Sequence, residues 1–116
     1  MKNIIEIRSY QLKPGTGSPF HQLLHEKSLP LLAAAGIDVV LATASLQTQD
    51  AYLLVRAFEN LAHCEQSQQA FYASAAWQDG PRASILACIE NFNTMVLAAD
   101  ATLIEILRHQ AKTANE

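Results

Sequence analysis

Apolar and polar positions along the chain repeat first at a period of two, then at a helical period, and then at two again. Residues 4–12, "IIEIRSYQL", alternate side by side and predict a first strand. Pro14, Gly15, Gly17 and Pro19 interrupt that pattern. Phe20, Leu23, Leu24, Leu31 and Ala35 then recur at helical spacing, with Ser18 placed to cap the helix and Pro19 at its first position. Pro30 lacks an N–H and predicts a kink near residues 26–28, and Gly36 predicts the stop. "IDVVLATASLQ" and "AYLLVRAFE" flank the turn "TQD" and predict an antiparallel hairpin. Asn60 opens a second helix over 61–76, and "WQDGPR" breaks it before a short helical turn. "CIENFNTMVL" predicts a fourth strand, and Asp100 caps a last amphipathic helix over 101–112.

The order β-α-β-β-α-β plus a helix predicts an α+β, ferredoxin-like fold: a four-stranded antiparallel sheet with both main helices on one face. Residues 1–98 form the domain, and residues 99–116 form a C-terminal helical extension. In this reading Ile5, Ile7, Ser9, Leu53, Val55 and Ala57 pack on the helices. Glu6, Arg8, Tyr10, Tyr52, Leu54, Arg56 and Phe58 then share the open face. Charges mixed with aromatics suit neither a core nor a wet surface. They suit burial against a second copy, with two sheets closing into a barrel and these side chains in its lumen. A homodimer through the open sheet face is the expectation.

Three stretches, "IIEIRSYQLKPG", "LPLLAAAG" and "FYASAAWQDGPRASI", carry a resemblance to the NIPSNAP family that runs from about residue 4 to residue 97. The resemblance implies a dimeric α+β barrel, the superfamily of small antibiotic-biosynthesis monooxygenases, haem-degrading monooxygenases and muconolactone isomerases. It implies no settled reaction. It marks Glu6, Arg8 and Tyr10 as characteristic strand-one positions, and it suggests a bacterial, single-domain member.

Composition narrows the partners. The chain has 116 residues, half of them hydrophobic and 16% charged, which excludes a disordered segment. A net charge of −3 without a basic run argues against nucleic acid and against an anionic membrane surface. The two cysteines have no metal-type spacing and read as reduced thiols. The longest apolar run is too short to span a bilayer. A cytoplasmic protein is expected.

Arg8 and Arg56 suit a carboxylate, enolate or phenolate, because a guanidinium offers paired donors. Glu6 is a candidate base, Tyr10 a donor to a developing oxyanion, and His25 an acid–base residue at the barrel mouth. Tyr52, Phe58, Trp77, Arg56 and Arg82 are candidate substrate-binding residues. His21 and His25, four apart on a helix, have the spacing of two metal ligands but lack a third in sequence reach, so no metal or cofactor is expected. The functional expectation is a small acidic or phenolic molecule, bound or transformed by cofactor-independent monooxygenase- or isomerase-type chemistry. The alternative is a non-catalytic ligand-binding or structural interaction module, in which Glu6, Arg8 and Arg56 are a structural ion-pair network.

Overall fold

The computed structural model describes residues 1–114. Its first strand, β1 (Ile4–Leu12), lies inside a four-stranded sheet of order β2-β3-β1-β4, with β2 (Asp38–Ala44), β3 (Ala51–Phe58) and β4 (Ile89–Ala98). All three pairings are antiparallel. Register sets Glu6 opposite Arg56, Arg8 opposite Leu54, and Tyr10 opposite both Tyr52 and Phe92. Opposed residues share a face, so the sheet sorts its side chains into two sets.

The helix-covered face is the one that holds the charges. Tyr10, Leu12, Tyr52, Leu54 and Phe58 form one core with Phe20, Leu24, Leu32, Phe71 and Trp77 from the helices. The assignment of these positions to the open face is therefore corrected: Glu6, Arg8, Tyr10 and Arg56 lie beneath helices of their own chain. Ile5, Val40, Val55 and Ala57 form a separate cluster on the opposite face with Ala99 and Ile104, and Ile7, Leu41, Leu53 and Leu107 pack against it. Both strand faces are partly apolar, and the helices choose the one with the larger aromatics. A bulge between Val39 and Leu41 lets Val40 join the second face.

The first helical segment runs as α1 (Gly17–Leu23), a π-helical turn (Leu24–Ser28) and α2 (Leu29–Ala34). Pro30 explains the turn. It has no N–H for the Glu26 carbonyl, and the Leu29 N–H reaches back to the Leu24 carbonyl instead. Gly36, at φ +78°, ends α2. The start differs from expectation: α1 begins at Gly17, two residues before Pro19, and Ser18 does not cap it. The Asp50 carboxylate, from the β2–β3 turn, accepts the N–H groups of Gly15 and Gly17 at 3.0 and 2.9 Å. Gly17 sits so close to the Gln49 carbonyl that a Cβ there would overlap it.

The second predicted helix is split. Asn60 caps α3 (Leu61–Ala73) by accepting the His63 N–H. Ser74 is extended and restarts α4 (Ala75–Gln78), and α5 (Arg82–Cys88) leads into β4. Asp100 caps α6 (Ala101–Ala114) through the Leu103 N–H. Ile104 is buried in the second cluster, and Arg108 forms a two-point ion pair with Asp38 on β2 at 2.9 and 3.0 Å. The helix thus covers the β2 side of the second face. Met95 and Leu97 on β4 remain 61% and 41% exposed.

Candidate functional site

Glu6 and Arg56 face each other across β1 and β3, and α3 closes over them with Gln68 and Tyr72, one turn apart. Both charges are removed from water: Glu6 is 3% exposed and Arg56 is 0% exposed. Arg56 donates from Nε and Nη2 to Glu6 Oε1 at 3.0 and 2.7 Å, and from Nη1 to the Tyr72 hydroxyl at 2.9 Å. Gln68 Nε2 donates to Glu6 Oε2 at 2.6 Å. Burial alone would raise the Glu6 carboxyl. Arg56 and Arg8, with the hydrogen bonds from Arg56 and Gln68, outweigh burial and hold it below the usual carboxylate range.

Arg8 is bound more loosely. It donates to Tyr72 Oη at 3.2 Å, to Gln68 Oε1 at 3.2 Å and to Glu6 Oε2 at 3.3 Å, at the long end of the hydrogen-bond range. Its buried Nε has no partner among the described residues. The guanidinium lies 4.9 Å from the Phe92 ring centroid and 5.7 Å from that of Tyr72, within cation–π reach. The distances allot Glu6 to Arg56 and leave Arg8 as surplus positive charge.

That surplus opens onto a cleft of about 370 Å³. Arg8, Tyr10, Tyr72, Trp77, Arg82 and Phe92 line it, with Ile85 and Leu86 along one side. The α4–α5 break brings Trp77 and Arg82 to the rim. Trp77 packs against Phe71 and Tyr72, and Arg82 is exposed at the mouth. Burial pushes the Tyr10 phenol up, partly offset by Arg8, so Tyr10 is a neutral donor at physiological pH.

A second group lies on the β2 side of the same face. Tyr52 Oη is 2.6 Å from His21 Nδ1 and 3.2 Å from His25 Nε2, and the two imidazole rings are in contact, tilted by 42° with centroids 4.2 Å apart. Burial and then the charge of His21 lower the His25 imidazole, with a backbone interaction at Ala42 opposing them. Burial pushes the Tyr52 phenol well up. Beside this group is a cavity of about 340 Å³ lined by Ser18, His21, Thr43 and Gln49 among small residues. Phe20, fully buried between the Tyr10 and Tyr52 rings, separates it from the cleft.

The residues singled out in the sequence therefore fall into three places. Arg8, Tyr10, Trp77 and Arg82 line one cleft. Glu6 and Arg56 lie behind it as a buried pair, with both Glu6 carboxylate oxygens already accepting hydrogen bonds. His25 and Tyr52 belong to the second group, and Phe58 is core beneath His63. Gln68, Tyr72 and Phe92 were not read as site residues. Cys64, Gln68 and Tyr72 recur every four residues on α3, and that stripe is the signal that points to two of them. Among the described residues no group of three or more His, Cys, Asp or Glu side chains is placed to hold a metal ion, and no helix is long and apolar enough to cross a membrane.

Solved structures share this architecture. A NIPSNAP family protein from Agrobacterium tumefaciens matches with a TM-score of 0.79 at 13% identity, over 89% of this chain and 90% of that one. An uncharacterized NIPSNAP domain protein from Burkholderia xenovorans gives 0.75 at 16% identity, over 84% and 95%. A protein from Nitrosomonas europaea described as "Putative antibiotic biosynthesis monooxygenase" gives 0.63 at 11% identity, over 83% and 97%. No protein-family model and no curated protein matches the chain. Identities of this size speak for the fold. The chain has the fold of solved NIPSNAP-family proteins, the family that its opening strand and its Trp77–Arg82 stretch resemble.

Proposed function

We propose that this chain binds a small organic anion with a flat, unsaturated body, a carboxylate or phenolate, in the cleft between β1, β4 and the α4–α5 segment. One observation carries the reading. The buried cluster holds two guanidiniums against one carboxylate, and the loosely held one, Arg8, faces an aromatic-lined cleft. Its volume lies within the range of small-molecule sites. An anion beside Arg8 and Arg82 balances the charge, and Trp77, Phe92 and Tyr10 supply ring faces.

The chemistry such a site supports is stabilisation of an enolate or phenolate at Arg8, with phenol donors from Tyr10 and Tyr72. Isomerase-type proton transfer and cofactor-independent oxygenation both pass through such anions. A ligand-binding role without turnover is favoured by a specific observation: Glu6, the carboxylate paired with the guanidiniums, is saturated by donors and is a poor base. The same reading includes a homodimer through the apolar second face. There Ile7, Leu53, Met95 and Leu97 replace the charged lumen expected from the sequence.

Trp77 is the chain's single tryptophan and lines the cleft, so its fluorescence reports occupancy. Titration with benzoate, salicylate and 4-hydroxyphenylacetate is expected to give saturable quenching and a rise in Tm. Arg82→Ala, at the exposed mouth, is expected to weaken binding roughly tenfold while leaving the fold intact. Quenching that is absent or unsaturable, with no thermal shift from any of the three acids, overturns the proposal.

A further inference from the structure

The second cavity carries an inference independent of the cleft. We propose that His21, His25 and Tyr52 form a three-donor site for a borderline divalent transition-metal cation, Cu²⁺ or Zn²⁺, at the β2 side of the helix-covered face. The sequence supplies two imidazoles one helical turn apart and no third ligand within reach. The fold supplies the third from β3, where the Tyr52 hydroxyl lies 2.6 Å from His21 Nδ1 and 3.2 Å from His25 Nε2.

Two donor separations approach those of a metal shell. Ligand bonds of about 2.0–2.1 Å at a tetrahedral centre put neighbouring donors about 3.3–3.4 Å apart. The His25–Tyr52 separation already matches, and the His21–Tyr52 edge needs to open by roughly 0.7 Å to reach that spacing. His21 is the exposed member of the group and provides the entry path. A cavity of about 340 Å³ adjoins His21, with Ser18, Thr43 and Gln49 on its wall, and a fourth ligand can approach from that side. The π-helical turn that begins at Leu24 carries His25, and such turns recur at functional positions.

Binding is a simple exchange. The cation takes lone pairs from two neutral imidazole nitrogens and the Tyr52 oxygen, and the phenol proton leaves to solvent. Because coordination displaces the phenol proton, binding is proton-linked and affinity rises with pH.

Isothermal titration of the untagged full chain with Cu²⁺ and with Zn²⁺ tests this, run in two buffers of different ionisation enthalpy. The expected result is one site with about one proton released, and for Cu²⁺ a phenolate-to-metal charge-transfer band. His21→Ala and His25→Ala are each expected to weaken binding roughly tenfold or more, and His63→Ala to leave it unchanged. Tyr52→Phe, which keeps the buried ring, is expected to abolish the band and the proton release. Unchanged affinity in His25→Ala overturns the site. A band or proton release that persists in Tyr52→Phe, or an absence of binding in the wild type, also overturns it. Anion binding in the cleft, read through Trp77, is separate from all of these outcomes.

Discussion

Replacing Glu6 with Gln separates stability from binding, because the substitution acts on both with opposite sign. In the native cluster one carboxylate faces two guanidiniums, a surplus of one positive charge. Glu6→Gln doubles the surplus at nearly constant volume. Arg56, fully buried, keeps one amide acceptor in place of a carboxylate, and the Gln68 amide that donates to Oε2 at 2.6 Å meets another donor unless it flips. Removing one partner of a buried pair costs about 3–5 kcal/mol. The lower figure moves the urea midpoint down by roughly 1–3 M and Tm by roughly 10–20 °C. That is a large part of the stability of a domain this size.

The pH dependence has a definite sign. The folded Glu6 pKa lies below its ordinary value of 4.5, so its stabilisation is full above that pH and is lost as pH falls through the folded value. Urea titrations of wild type and variant at a series of pH values from 7 down to about 3 follow this loss, since the two curves converge only below the unfolded carboxylate pKa. In the same variant, benzoate is expected to bind more tightly, because the cleft now faces two uncompensated guanidiniums. A stability change under about 1 kcal/mol at pH 7 refutes the buried-charge argument, since exposed pairs show values of that size. A difference that stays constant down to pH 3 refutes it as well. Weaker benzoate binding in a folded variant refutes the charge-surplus argument for the ligand.

Gly17→Ala drives a Cβ into the Gln49 carbonyl and loosens the turn that Asp50 pins. A loss of about 1–3 kcal/mol in urea unfolding is expected, and a neutral result sinks the close-approach reading. Leu97→Asp places a charge in the apolar second face. Sedimentation at micromolar concentration is expected to show a wild-type dimer and a monomeric, folded variant, and a wild-type monomer removes the dimer proposal.

The order of elements was legible in the sequence because it rests on local periods and breakers. The β1 pattern, the Pro30 perturbation, the Asn60 and Asp100 caps and the β2–β3 hairpin all depend on residues close in the chain. So did the grouping of Glu6, Arg8 and Tyr10, since a period of two places them on one side wherever the strand lies. Trp77 and Arg82 stood out because they flank a helix break, and the structure seats both at the rim of one cleft.

Which side of the sheet the helices cover was not legible. Ile5, Ile7 and Val55 are as apolar as Leu54, Phe58 and Tyr52, and alternation has no sign. Packing decides it: the aromatics of one face mesh with Phe20, Phe71 and Trp77, and the guanidinium heads find α3 side chains that satisfy them. The cap of α1 was equally hidden, since Asp50 comes from a distant turn. The sequence alone determined the elements and which strand residues travel together. Tertiary structure decided that the charged set is enclosed within one chain, with Arg56 claiming Glu6 and leaving Arg8 toward the cleft. The reason is physical: a buried charge is tolerated only where partners converge on it, and those partners lie some fifty to sixty residues away along the chain.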